Sequence, residues 1–408
     1  MSLQQELYGL TRGLSEKLEE PAPRIVFWAH FALPFLLACL VHIRGTQTLR
    51  WAIYPLSLGA SIWTQFANNA WVEPVLRIHI GQVFIFWHTG PVTRYILARD
   101  PPSYRPAPPP LLVRLRDTRL FKPFNFLASQ MRHLGLVPGH PFPTRPPRRF
   151  HTVRAVIEHL SSFFSYLLIF ELGTYIAFRL APDTIGSPNL VGGDFAAWCR
   201  HLAIGWGVPV WSVWAFWTAT LLVLTSSSTP SVYHLLAAVS IALGLYSPEE
   251  WPPMIKSPWK STSINELWGK RHHQLLKDWM LYYARPFSFF RPLHMIVCFL
   301  LSMTFHIILY YPITRKLNLK PYLIFYMGQG LGCVIERAYY KRTGRRVGGV
   351  TGWIWTCAFV MLTAVPMVEL EYSNGWAGTM RDSLARDRSL SPVEWIVYLL
   401  GWGKHPKA

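Results

Sequence analysis

Two histidines set the chemistry that this chain could perform. His306 stands inside an apolar run, LHMIVCFLLSMTFHIILYY, at 293–311, and His273 lies just upstream in a polar segment rich in Lys and Arg. If the run is helical, Leu293 to His306 covers about 20 Å at about 1.5 Å per residue. The imidazole then falls well inside a hydrocarbon slab, past its midplane from that end. Ionisable groups at such depth are costly and normally face a protein interior, where they pair or serve function. An alcohol is a poor nucleophile at neutral pH, so a base must take its proton as it attacks an acyl carbonyl. Histidine, with an unperturbed pKa of about 6.5, suits that role. Base assistance is typically a factor of roughly 10² to 10⁴, and a donor to the developing oxyanion adds about 3 to 4 kcal/mol. His306 is the candidate base and His273 the candidate for the second role. The plainer readings are a bond from His306 to a neighbouring helix and a headgroup-level position for His273.

The elements that position these groups are expected to be membrane helices. Of 408 residues, 51% are hydrophobic, 15% aromatic and only 15% charged, against roughly 25% charged in an ordinary soluble protein. Apolar runs long enough for a crossing of roughly 20 residues recur at 25–43, 51–67, 163–180, 205–225, 231–246, 293–311, 321–335 and 349–367. A shorter run follows at 393–402, and a weaker stretch at 78–90 reads as re-entrant or interfacial. Together they predict an all-α polytopic membrane protein with about eight or nine crossings.

Between these runs the chain is basic. The net charge of +19 is spread over connecting segments and forms no single basic face, a distribution that suits membrane orientation and anionic headgroups and argues against nucleic acid as a partner. The five cysteines have neither CxxC spacing nor a pairing framework, so neither a structural metal nor a disulfide scaffold is expected. Residues 1–24 lack the apolar centre of a secretory signal. Leu3, Leu7, Leu10, Leu14 and Leu18 recur there at helical spacing, which fits either a helix lying on the membrane surface or a mobile polar tail. The first transmembrane helices occupy 25–93. A basic loop at 94–154, broken by Pro101, Pro102, Pro106, Pro108, Pro109 and Pro110, is placed in the cytoplasm, and 336–346 likewise. The segment 181–200 reads as lumenal. By that count the basic loop 247–292 would also be lumenal. Either one run does not cross or the loop is itself folded into the membrane; we favour the second, which is tolerated where protein or a water-filled cavity surrounds it.

The run Ser263-Ile264-Asn265-Glu266-Leu267-Trp268-Gly269-Lys270-Arg271-His272-His273-Gln274 resembles the signature of the wax synthase-like branch of the membrane-bound O-acyltransferase family. That signature is a serine, a few residues, then Phe-Trp-Gly-Arg-Arg-Trp followed by Asn or His; Leu267, Lys270 and His272 depart from it. His306 matches the family's histidine in the next hydrophobic helix. Glu249-Glu250-Trp251-Pro252-Pro253 resembles an upstream element of fungal members, and Gln329-Gly330 with Glu336 a downstream one. The likeness covers the second half of the chain, and 155–408 is the expected catalytic region.

The resemblance implies helices enclosing a catalytic tunnel in which acetyl-CoA or another acyl-CoA, as co-substrate, meets a lipophilic alcohol among membrane lipids, with no bound cofactor and no metal. It also implies catalytic roles for His306 and His273. Acetylation of a terpenoid or meroterpenoid hydroxyl at the endoplasmic reticulum is preferred, with long-chain wax ester synthesis as the alternative. A non-catalytic transporter or lipid-binding protein is the reading from another class; the inverted repeats and paired broken helices that would mark it are not found in the sequence. Trp268, Arg271, Asn265 and Glu171 are candidates for positioning substrate or coenzyme A. Trp268 and Arg271 are also fit to brace the loop, and Glu171, in LIFELGTY, to bond a neighbouring helix. His272 reads as structural, the His273…Asp278 HxxxxD spacing as coincidence, and GQGLG at 328–332 as close helix packing.

Overall fold

The computed structural model describes residues 17, 19–69, 72, 74–88, 91–104, 118, 121–129, 136–137, 151–187, 192–272, 274–385 and 391–402. The leucine stripe at Leu3, Leu7, Leu10, Leu14 and Leu18 lies outside them, as does most of the proline-rich loop. Among the described residues the fold is all-α apart from one two-residue strand pair, β1 (Ser103–Tyr104) with β2 (Leu136–Val137). The chain forms two compact units, one of 1–143 with 304–317 and the other of 144–303 with 318–408.

Among the described residues of the first unit the helices are α1 (Arg24–Leu40), α2 (Gln47–Phe66), α3 (Pro74–His88), α4 (Pro91–Leu97) and α5 (Phe121–Ser129), together with the last part of the helix Arg291–Thr314. Leu37, Ala38, Val41, Tyr95, Ile96, Phe126 and Leu127 form its apolar core. Helix α2 is built inside out. Arg50, Ser57, Ser61, Thr64 and Gln65 are buried while Trp51, Leu56 and Ile62 are exposed, the arrangement expected where the surrounding solvent is lipid. Hydroxyls and imidazoles pair along this seam. Ser61 Oγ lies 2.8 Å from His30 Nδ1, and Ser57 Oγ 2.7 Å from His88 Nε2. The helix starts four residues before the predicted run at 51–67 because Arg50 is no loop charge. Its guanidinium donates to the carbonyls of Tyr95, Ile96 and Ala98, satisfying the end of α4.

The second unit contains α6 (His151–Leu180), α7 (Phe195–Trp206), α8 (Val210–Ala242), α9 (Ile264–Glu266), α10 (Gln274–Ala284), the first part of α11 (Arg291–Thr314), α12 (Leu319–Tyr322), α13 (Gly328–Thr343), α14 (Gly349–Ser373), α15 (Trp376–Ala385) and α16 (Pro392–Leu399). Among the described residues, α6, α8, α11 and α14 are long and apolar enough to cross a membrane. The protein is an integral membrane protein on that composition. The expected count of eight or nine included shorter runs that do not reach this length.

Two predicted crossings, 205–225 and 231–246, fuse into the single 33-residue α8. The SSSTP stretch between them looks like a breaker, but Thr225 and Ser227 turn their hydroxyls back to the carbonyls of Leu221 and Val223, and Pro230 is carried inside the helix. Self-bonded hydroxyls need no water, so the helix continues through them. Loop 247–292 folds into short helical pieces, the longest being the 11-residue α10, well short of the roughly 20 residues of a crossing.

Candidate active site

The polar loop before α11 is assembled by its own side chains. Ser263 caps α9 by accepting from the Glu266 N–H at 3.0 Å, the first half of a capping arrangement. The Glu266 carboxylate in turn accepts from Thr262 N at 2.9 Å, from Thr262 Oγ1 at 3.0 Å and from Arg271 Nε at 2.8 Å. Arg271 spends its remaining donors on the carbonyls of Lys256 and Ser257, while Lys256 N donates to Arg271 O at 2.8 Å. These bonds make Arg271 a brace across the loop. Between them Leu267–Arg271 forms a single π turn, a local widening of the helix often found at functional positions.

The Thr262 N–H first, then the Arg271 guanidinium and the Thr262 hydroxyl, hold the Glu266 carboxyl below the usual carboxylate range, against the opposing effect of burial. A depressed folded value means a stabilising contribution that is full above the unfolded pKa and fades as pH falls through the folded one. Hydrogen exchange at Lys256 and His272 N–H is therefore expected to lose protection as pH drops below about 4.3. Glu266→Gln should flatten that dependence; unchanged protection in the wild type across the acid range would refute it.

One buried carboxylate seats this loop on its unit. Glu336 of α13 accepts from Ile264 N at 2.6 Å, Asn265 N at 3.0 Å, Asn265 Nδ2 at 2.8 Å and Trp355 Nε1 at 3.0 Å. Asn265 Nδ2 also reaches Cys333 O at 3.1 Å. Close approach on the other side depends on Gly352, where a Cβ would stand 2.3 Å from Thr262 O. Trp268 is fixed by a donation from Nε1 to Gln329 Oε1 at 3.0 Å, and Gln329 passes the link to Thr363 Oγ1 at 2.6 Å. The indole meets His272, Phe299 and Phe325 edge-on, at 5.1, 5.9 and 6.3 Å between centroids. His272 is buried, with Nε2 3.0 Å from Ser226 Oγ, in keeping with a structural part.

Among the sequence candidates, Asn265, Trp268 and Arg271 thus belong to one hydrogen-bonded loop. His306 is carried on α11, half-buried, with its ring 5.2 Å from that of Phe305. His273 lies outside the described residues. Glu171 stands on α6, where its carboxylate accepts from Ser391 Oγ at 3.0 Å and Val393 N at 3.3 Å, so it makes the bond between helices. GQGLG is the start of α13, where a Cβ on Gly332 would lie 2.6 Å from Ile264 Cδ1. Gln329 and Thr363, which hold Trp268, were not singled out for that role from the sequence. The available signal was a polar residue on an otherwise apolar stretch, which says nothing about its partner.

Residues 251–327, the loop together with α11, match the pattern that defines the membrane bound O-acyl transferase family. Two acetyltransferases share low similarity with the chain. The acetyltransferase spyB of Aspergillus fumigatus is 22% identical over 191 residues, covering 39% of this chain and 32% of that protein. The acetyltransferase ataH of Aspergillus terreus is 26% identical over 152 residues, covering 32% of this chain and 50% of that protein. The matches therefore span 32% and 50% of the length of these two relatives.

Proposed function

We propose that this chain is an acyl-CoA-dependent O-acyltransferase that acetylates a hydroxyl of a lipophilic terpenoid or meroterpenoid alcohol at the endoplasmic reticulum membrane, with its catalytic region at 155–408. The observation that carries the reading is the match of residues 251–327 to the membrane bound O-acyl transferase pattern, a stretch that holds the braced loop and, in the apolar helix that follows, His306. Similarity to two proteins named acetyltransferases supports acetyl as the transferred group.

In this mechanism His306 removes the hydroxyl proton as the alcohol oxygen attacks the thioester carbonyl. A C–O bond forms and the carbonyl electron pair moves onto oxygen, where His273 stabilises the charge. Collapse of the tetrahedral intermediate restores the carbonyl, breaks the C–S bond and releases coenzyme A, whose thiolate takes the proton back from His306. Asn265, Trp268 and Arg271 set the shape of the loop that carries His273, and Glu171 holds two helices of the same region together. Basic connecting segments draw the anionic coenzyme to the site.

The test is acyl transfer by the purified protein, offered labelled acetyl-CoA or palmitoyl-CoA with a panel of terpenoid and fatty alcohols. Acetyl ester on a terpenoid alcohol is the expected product. Use of palmitoyl-CoA alone would replace the reading by wax ester synthesis. Absence of product with every pair, from folded protein, would overturn catalysis by this chain.

A further inference from the structure

Helix α11 contains a defect of known consequence. Pro312 has no N–H, so the carbonyl of Ile308, four residues earlier, loses its partner within the helix. In a membrane-spanning helix no bulk water is at hand to replace it. The structure fills the position from another helix: buried Gln65 of α2 donates from Nε2 to Ile308 O at 2.6 Å. Ile308 is two residues beyond His306.

The surrounding contacts hold that amide in place. A Cβ at Gly81 of α3 would lie 2.6 Å from Gln65 Nε2 and 2.7 Å from Leu309 Cδ2, so only a glycine backbone leaves room for the amide to reach its acceptor. Farther along α11, Arg77 Nη1 donates to Pro312 O at 3.4 Å and Arg315 Nη1 to Phe66 O at 2.6 Å. Arg315 itself adopts a left-handed backbone, with φ 53°. The last turns of α11 are thus pinned to the end of α2 and the start of α3, and the pin from Gln65 sits beside the histidine.

We infer that Gln65 is a positioning residue for His306: by supplying the hydrogen bond that Pro312 deletes, it fixes the turn on which the imidazole is mounted. The inference rests on the reading of His306 as the base. Other buried polar groups in this unit, such as His30 with Ser61, tie helices together without touching α11 in this way.

The test is a mutant cycle on the purified full chain, following acetyl ester formation beside thermal unfolding. Gln65→Leu keeps the bulk and removes the donor, and is expected to lower kcat by on the order of tenfold to a hundredfold with KM for both substrates unchanged. Pro312→Ala restores an N–H at 312 that can satisfy Ile308 O from within the helix. The double variant should therefore recover to within about threefold of Pro312→Ala alone, a recovery expected of coupled sites and not of independent ones. Gln65→Met, which also keeps the bulk without a donor, should reproduce the kcat loss and be cured in the same background; it serves if Gln65→Leu does not fold. Unchanged kcat in both Gln65→Leu and Gln65→Met, with His306→Gln inactive, would overturn the positioning role and leave the base assignment standing. A loss that Pro312→Ala does not cure would overturn it as well. Full kcat in His306→Gln would remove the base assignment and this inference together.

Discussion

His306→Gln is expected to give a folded protein whose rate of ester formation falls by about 10² to 10⁴, the usual reach of general base assistance. Glutamine nearly matches the length of the imidazole and can still bond, so loss of rate with unchanged unfolding temperature separates proton abstraction from packing. Because the base acts on the attacking hydroxyl, the loss should lie in kcat, while KM for acyl-CoA stays near that of the wild type. The measurement is initial rate with labelled acetyl-CoA at equal amounts of folded protein. Retention of more than about a tenth of the wild-type rate would be too much for a missing base, and the histidine would be a helix-bonding residue after all.

Glu336→Ala should have the largest effect on structure. Four donors from Ile264, Asn265 and Trp355 converge on that carboxylate, and alanine leaves them all without their acceptor. Each hydrogen bond to a charged group contributes about 1.5 to 3 kcal/mol, and buried donors left unpaired add their own penalty. These contributions overlap, so a net loss on the order of 3 kcal/mol or more is the expectation, out of a typical total of about 5 to 15. Glu336→Gln should also fail, since its NH₂ would face an N–H or an NH₂ where the carboxylate accepts. Thermal unfolding in detergent, combined with proteolysis of the loop at 256–271, reads both consequences. An alanine variant with wild-type melting and an uncut loop would show that the segment is held by its apolar contacts alone.

Much of this was legible in the sequence, for definite reasons. The apolar runs announced an all-α membrane fold because lipid leaves a compositional mark on every spanning helix. The helix carrying His306, predicted at 293–311, is observed as Arg291–Thr314, since nothing within that run competes with helix formation until Pro312. The motif around Trp268 was equally plain as a string of residues.

What the string concealed were its partners. Glu336 lies 71 residues beyond Asn265, and Gln329 lies 61 beyond Trp268. No local rule connects positions so far apart. Arg50 looked like a loop charge because its acceptors, the carbonyls near 95–98, are supplied by the end of another helix. The serines of α8 looked like a break because hydroxyls favour turns in water, and here they bond to their own helix. Gln65 attracted no notice at all, although Pro312 had already declared that some donor must arrive.

The length of α8 has a consequence for the lipid around it. Its 33 residues measure about 50 Å at about 1.5 Å per residue, against a hydrocarbon core of about 30 Å. Fitting it wholly inside would demand a lean beyond the roughly 40° that spanning helices adopt. Some turns must therefore stand at headgroup level, and the 30-residue α6, packed against it, overshoots in the same way. His159 Nδ1 and His234 Nδ1, 2.8 Å apart, clasp the two shafts together. A pair of joined shafts longer than the slab behaves as a mooring post in a tide: a bilayer a few ångströms thicker covers more of the post and leaves its angle alone.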